Sequence, residues 1–271
     1  MTGSSLADAG YTVAIAATDA AGNLRTATQN IVIDTAPPAP PSIDGMTNDT
    51  GALGSDFVTN DNALVISGSF DAADADVLTV ALGGTTYTLG ASPELTNIGN
   101  TWTLDLDSGA GLIDGSYDAV VTVTDIAGNT DTASQSIVVD TTSPGLSIDG
   151  ITTDTGSSSG DFVTSDDALV ISGSFDEADT DLLTVAFDGT LYTTADAELS
   201  VDTLANTWSL DLSGSPVADN SYTAIVTVTD LAGNSSTTTQ NLVVDNAAPA
   251  APVVTGVTPD SGSTNIDGAT N

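Results

Sequence analysis

Leu112–Asn129 reads LIDGSYDAVVTVTDIAGN, and nearly the same text returns at Pro216–Asn234 as PVADNSYTAIVTVTDLAGN. An earlier copy, LADAGYTVAIAATDAAGN, occupies Leu6–Asn23. The closing asparagines, Asn23, Asn129 and Asn234, lie 106 and 105 residues apart. Solenoid units run about 20–50 residues, so this period is that of a whole domain. It predicts the tail of one domain over 1–34, complete domains over 35–140 and 141–245, and the start of a further one over 246–271. Other landmarks keep the register: Asp34, Asp140 and Asp245 each follow an apolar triplet, and Trp102 matches Trp208. The last segment stops one residue before the expected counterpart of Asp166, so the chain reads as an excerpt of a longer polypeptide. Its function must be one that repetition serves.

The formal charge is −36, from 34 Asp and 3 Glu against one cation, Arg25, with no Lys, His or Cys. Binding nucleic acid needs cations to displace counterions from phosphates, and an anionic membrane surface needs them too; both partners are excluded. No apolar run approaches the roughly 18 residues of a membrane span. Without Cys there are no disulfide staples, and about 105 residues can build a core without them. The preference for Asp over Glu is informative: Glu is the better helix former, whereas Asp favours turns and is a hard oxygen ligand. Halophilic adaptation is the alternative, and it should raise Glu as well. Acidity favours disorder, but 40% hydrophobic content in regular strands argues against it here.

Short strand signals alternate with turn signals and no helical period appears, the pattern of an all-β sandwich. In the third repeat the expected strands are A near Leu146–Ile148, B at Ala168–Phe175, C at Leu182–Phe187, C′ at Leu191–Thr194, E at Thr207–Leu212, F at Tyr222–Thr229 and G at Thr238–Val244. A long loop, Asp149–Asp167, separates A from B. The second repeat carries Ala63–Phe70, Val77–Leu82, Thr101–Leu106, Tyr117–Thr124 and Ala133–Val139 in the same roles. Trp102 and Trp208 sit in alternating strands as core anchors. Tyr11, Tyr117 and Tyr222 follow Asp8, Asp114 and Asp219 by three residues, a spacing suited to a tyrosine corner. The AGN segments suit a tight F–G turn, where Gly and Asn tolerate positive φ.

These features resemble the bacterial immunoglobulin-like repeats of giant adhesins secreted by type I, RTX-type systems. The resemblance covers the whole chain. It rests on the linkers Asp34-Thr-Ala-Pro-Pro, Asp140-Thr-Thr-Ser-Pro and Asp245-Asn-Ala-Ala-Pro, on Asp-x-Ala-Gly-Asn before strand G, and on DTGSSSGDFVTSD at Asp154–Asp166. Asn246, in place of Thr after the linker Asp, is the departure. The resemblance implies tandem immunoglobulin-like β-sandwiches arranged end to end in a long, calcium-stiffened stalk. Such a stalk projects a distal binding domain from a bacterial surface.

The aspartates recur in register. The A–B loop carries Asp49, Asp56 and Asp61, then Asp154, Asp161 and Asp166, and the last segment begins the series again with Asp260 and Asp267. End-to-end stacking would bring one A–B loop near the F–G and B–C loops of the next repeat, with the linker Asp (Asp34, Asp140 or Asp245) between them. The F–G turns supply Asp125 with Asn129, and Asp230 with Asn234. The B–C loops supply Asp71, Asp74 and Asp76, then Asp176, Asp179 and Asp181. Carboxylates so gathered repel unless a cation holds them. Calcium takes 6–8 oxygen ligands and tolerates irregular geometry; zinc is disfavoured without His or Cys. No EF-hand loop is present, so this expectation is topological. Turn formation or solvation is the plainer role for any single Asp, and it is the expected one for Asp105, Asp118, Asp131, Asp188, Asp196, Asp202 and Asp211.

Paired carboxylates can hydrolyse glycosides, but the acidic loops are copied in every repeat and no unique cluster marks one as catalytic, so no enzyme is expected. A sugar- or host-protein-binding module should expose aromatic side chains, and only 4% of residues are aromatic. A spacer of a halophile surface-layer protein stays open beside the adhesin stalk. The expected partners are neighbouring repeats of the same chain through calcium-bridged junctions, in a monomer that is secreted to the bacterial cell surface.

Overall fold

A computed structural model describes residues 5–51, 53–107, 109, 111–176 and 180–255. Among them all regular structure is β. The chain forms two compact units, one of residues 1–146, 175–183 and 227–237, the other of 147–174, 184–226 and 238–271.

The first unit opens with a hairpin of β1 (Ala9–Thr18) and β2 (Leu24–Ile33), paired from Ala9↔Ile33 to Thr18↔Leu24. Two facing sheets follow. One orders β3 (Gly45–Met46), β5 (Val65–Ser69), β9 (Thr101–Asp105) and β8 (Leu95–Ile98) as β3-β5-β9-β8. The other combines β4 (Val58–Thr59), β6 (Val77–Leu82), β7 (Thr85–Thr88), β10 (Gly115–Thr124) and β11 (Thr130–Val139) as β4-β11-β10-β6-β7. Side chains alternate across a strand. Ile66, Trp102 and Leu104 of the first sheet therefore meet Leu78, Val80, Val121, Val123 and Ile137 of the second in a single core.

The same topology recurs in the third repeat. One sheet joins β12 (Gly150–Ile151), β14 (Val170–Ser174), β18 (Thr207–Asp211) and β17 (Leu199–Asp202) in the order β12-β14-β18-β17. The other joins β13 (Val163–Thr164), β15 (Thr180–Phe187), β16 (Thr190–Tyr192), β19 (Asn220–Asp230) and β20 (Ser235–Val244) in the order β13-β20-β19-β15-β16. Ile171, Val185, Trp208, Leu210, Val226 and Leu242 are buried at 1% exposure or less.

The tryptophans anchor their sheets in a way that explains the ISGS text of strand B. Trp102 stands opposite Gly68, and Trp208 opposite Gly173. A Cβ on either glycine would press into the indole and collide with a backbone oxygen, of Ser42 or Ser147. Those carbonyls accept the indole N–H at 3.1 Å in both repeats. Each tyrosine hydroxyl donates four residues back, Tyr11 to Ala7 O, Tyr117 to Ile113 O and Tyr222 to Ala218 O, so the tyrosine corner forms three times.

Three details differ from the sequence expectation. The segment Asp149–Asp167 is not one loop: it contains β12 and β13, and β13 runs parallel to β20 (Val163↔Val243), as β4 does to β11 (Val58↔Val138). Two-residue strands carry too little text to show a period of two. Strands β8 and β17, between C′ and E, were not anticipated, because LTNI and LSVD have only one buried residue each, Leu95 and Leu199. In the F–G turns only the glycines take positive φ (Gly22 +89°, Gly128 +94°, Gly233 +94°), while Asn23, Asn129 and Asn234 keep ordinary backbone and act through their side chains.

Candidate metal centre

Within the first unit, β4 hydrogen-bonds along the end of β11. Val138 N–H donates to Phe57 O and Asp140 N–H to Thr59 O, both at 2.9 Å. This pins the start of the linker to the acidic loop. Inside that loop Asn48 (φ 55°) and Phe57 (φ 63°) lie in the left-handed region, which costs about 1–3 kcal/mol for such residues. The conformation turns the Phe57 N–H onto Asp49 Oδ2 at 3.1 Å. Asp49 Oδ1 is buried with no hydrogen-bond partner. Burial pushes the Asp49 carboxyl up; the Phe57 N–H pulls against that rise, and the neighbouring Asp56 carboxylate adds to it. Asp56 itself takes the Val58 N–H at 3.1 Å.

The second unit repeats this arrangement. Thr153 (φ 57°) and Phe162 (φ 59°) have positive φ, Phe162 N–H donates to Asp154 Oδ2 at 3.0 Å, and Asp154 Oδ1 is buried without a partner. Asp161 accepts from Val163 N–H and from Ser158 N–H. A buried polar atom left unpaired costs about 1–3 kcal/mol. Two such atoms stand at equivalent places in the two repeats, each on an aspartate seven residues before the next acidic residue of its loop, Asp56 or Asp161.

Asp61 and Asp166 do not join these pairs. Asp61 accepts from Ala63 N–H and the Asn48 amide, and Asp166 from Ala168 N–H, so both secure the entry to strand B. Asp34, Asp140 and Asp245 each accept the N–H two residues ahead, of Ala36, Thr142 and Ala247, and thereby shape the linker turn. In the F–G turns, Asp125 takes both the backbone and side-chain N–H groups of Asn129, and Asp230 takes those of Asn234. The Asn129 side chain holds the Asp125 carboxyl below its usual range. Each asparagine also donates to a linker carbonyl, Asn129 to Asp34 O and Asn234 to Asp140 O.

Among the B–C loop residues, Asp71 accepts from Ala73 N–H, and Asp71, Asp76, Asp176 and Asp181 are exposed. Asp74 shares with Asp34 and Asp125 a cleft of about 360 Å³. Asp179, Asp260 and Asp267 lie outside the described residues. Among the described residues no group of three or more His, Cys, Asp or Glu lies close enough to hold one ion.

Two recurring sets had escaped assignment. Thr59 and Thr164 are buried, donate to Asn48 O and Thr153 O at 2.6 Å, and accept from Asp61 N–H and Asp166 N–H. They knit the acidic loops together. Asp8, Asp114 and Asp219 clasp the residues after the linker Asp: Thr35 by its hydroxyl, Thr141 by its N–H and hydroxyl, Thr142 by its hydroxyl, and Asn246 by its N–H alone. The Asn246 departure thus drops the hydroxyl bond that Thr makes there. Both sets recur in register, and that was the signal available.

Residues 38–141 and 145–246 each match a bacterial Ig-like domain, and residues 2–35 match a second kind of bacterial Ig-like domain. The chain belongs to the bacterial Ig-like domain family. Among solved structures it is similar to a Ca2+-stabilized adhesin that helps an Antarctic bacterium reach out and bind ice. Identity is 30% and the TM-score 0.34, and the match covers 87% of this chain and 57% of that one. A 1.5-MDa bacterial ice-binding adhesin is 25% identical with a TM-score of 0.35, over 88% of this chain and 74% of that one. A tetra-tandem repeat from the extending region of a large adhesion protein is 21% identical with a TM-score of 0.33, over 89% of this chain and 58% of that one. The chain thus spans just over half the length of the first of these. No curated protein matched it.

Proposed function

We propose that this chain is a calcium-stiffened extender segment of a large secreted bacterial surface adhesin, a stalk that projects a distal adhesive domain. Repetition suits distance and stiffness, and the acidic loops are equal in each repeat rather than special to one. The observation that carries the cation is the orphaned, buried carboxylate oxygen at Asp49 and again at Asp154. Asp49 with Asp56, and Asp154 with Asp161, would hold the ion. Calcium accepts 6–8 oxygens and irregular geometry, and two carboxylates supply up to four. Bound there it would neutralise the buried charge and tie the two ends of the loop together. The linker and F–G aspartates would feel the same cation through the pinned start of the linker.

Small-angle scattering in millimolar calcium and in chelator tests this reading. A longer particle with a narrower distribution of lengths is expected in calcium. Superimposable curves would remove the stalk mechanism.

A further inference from the structure

The Asp-x-Ala-Gly-Asn turn occurs in two environments. In Asp125–Asn129, Ile126 is 89% exposed and Ala127 is also exposed. In Asp230–Asn234, Leu231 falls to 50% and Ala232 to 1%. The difference is the tip of the acidic loop, Thr50-Gly51, which lies against the second turn within the first unit. The Thr50 hydroxyl donates to Ala232 O. Gly51, at φ +92°, lies so near that a Cβ would collide with Leu231 O, and a Cβ on Gly233 would fall 2.8 Å from Gly51 N. Asn234 meanwhile donates to Asp140 O of the linker at 2.7 Å. One turn thus engages both the tip and the linker that belongs to it.

The second unit carries the same tip, Asp154-Thr155-Gly156, with no turn against it among the described residues. Thr155 and Gly156 are exposed, and their bonding is turned inward: the Thr155 hydroxyl goes to Ser165 Oγ and the Gly156 N–H to Val163 O. Gly156 lacks the positive φ of Gly51.

We propose that the Asp154-Thr155-Gly156 tip is a docking surface for the Asp-x-Ala-Gly-Asn turn of one more copy of this repeat, attached after Asp245. The seat is made of a threonine hydroxyl, a turn carbonyl and the glycine-to-glycine backbone approach, and it needs no cation. Attachment through the linker raises the effective concentration of the turn to the millimolar range, which suits so small a contact. Docking would redirect the Thr155 hydroxyl from Ser165 to the incoming carbonyl and carry Gly156 into the conformation of Gly51.

The chain has no Cys, so a short thiol-bridging reagent can report the contact. The first protein is the full chain with Asn60→Cys, beside the Thr50 hydroxyl, and Leu231→Cys. The second is the chain extended by residues 141–245 placed directly after Asp245, with Ser165→Cys, beside the Thr155 hydroxyl, and, in the appended copy, Leu231→Cys; both threonines of the seat are kept. Both are treated in chelator, which separates this contact from the calcium reading. Bridging is expected in both, and Ala232→Glu in the seated turn should lower each about tenfold, equivalent to about 1.4 kcal/mol. Ala127→Glu, at the exposed equivalent, is the folding control and should melt like the parent. Bridging in the first protein but not the second would overturn the proposal. Bridging indifferent to Ala232→Glu would also overturn it.

Discussion

Asp49 is held in a loop that buries its charge, gives one oxygen an N–H partner and leaves the other bare. Its sensitivity to substitution should therefore change sign with calcium. In chelator, Asp49→Asn removes a buried charge beside Asp56 and can offer Asp56 an N–H, so it should stabilise by about 1 kcal/mol, the scale of one hydrogen bond. With calcium the same change should destabilise, because a ligand is lost; denaturant melts with and without the metal check both signs. Asp125 and Asp114 shift the other way: Asn129 lowers the first, and Thr142 and Thr141 lower the second. Carboxyls with depressed folded values stabilise fully above the unfolded value, about 3.9, and that contribution is lost as pH falls through the folded value. Asp49, raised on folding, instead recovers stability as pH falls from its folded value toward 3.9. Asp125→Asn should consequently flatten the acid limb of the stability curve below about pH 4, measured by urea melts across pH.

Each strand-B glycine and the indole opposite it work as a pair. Gly68→Ala would force the indole or the Ser42 carbonyl to move, an overpacking cost of about 1–3 kcal/mol, although the change is a single methyl in a strand. Trp102→Phe should cost about 2–4 kcal/mol, because it opens a void and strands the Ser42 carbonyl. Ser209, which alternates with Trp208 on β18 and points away from the core, should tolerate Thr with little change. Thermal melts of the three variants order them. The F–G hairpin is a second element-scale device. Asn129→Ala removes two bonds to Asp125 and Asp34 O but leaves the strand pairing of β10 with β11 intact, so β-sheet circular dichroism should persist while amide exchange near the linker quickens.

Over the whole molecule the dominant fact is a charge of −36 with a single cation. Such a chain repels itself, so any salt should stabilise it by screening. A ligand bound only by the folded state adds RT ln(1 + [L]/Kd), about 2.7 kcal/mol at a hundredfold excess. Calcium should therefore raise the melting temperature well beyond sodium at matched ionic strength. If sodium reproduces the whole shift, screening is sufficient and the paired-carboxylate sites are unnecessary. Asp140→Asn tests the linker at this scale against Asp118→Asn in strand F. The linker change should broaden the distribution of lengths seen by scattering while calcium stoichiometry, set by the Asp49–Asp56 and Asp154–Asp161 pairs, stays the same, and the strand change should alter neither.

Much of this was legible along the chain because it repeats. Two copies of TWxLD and of YxAxVTVT, and three of DxAGN, in register specify strands E and F and the F–G turn, and the period-two alternation specifies which side chains enter the core. Trp102, Tyr117 and their counterparts were readable for that reason: strand alternation and a fixed spacing from Asp114 are local properties. Tertiary structure alone decided which carboxylates are alike. Asp49, Asp56 and Asp61 are equivalent as text, yet a left-handed Phe57 leaves an oxygen of Asp49 buried and bare, while Asn48 and Ala63 N–H claim Asp61. Likewise Ala127 and Ala232 share one motif and differ in burial only because a loop some 180 residues away in sequence covers the second. Composition and periodicity determine backbone path and the side that faces inward, because those depend on neighbouring residues. Hydrogen-bond satisfaction and desolvation depend on what arrives from elsewhere in the chain, and that is settled only when the strands are packed.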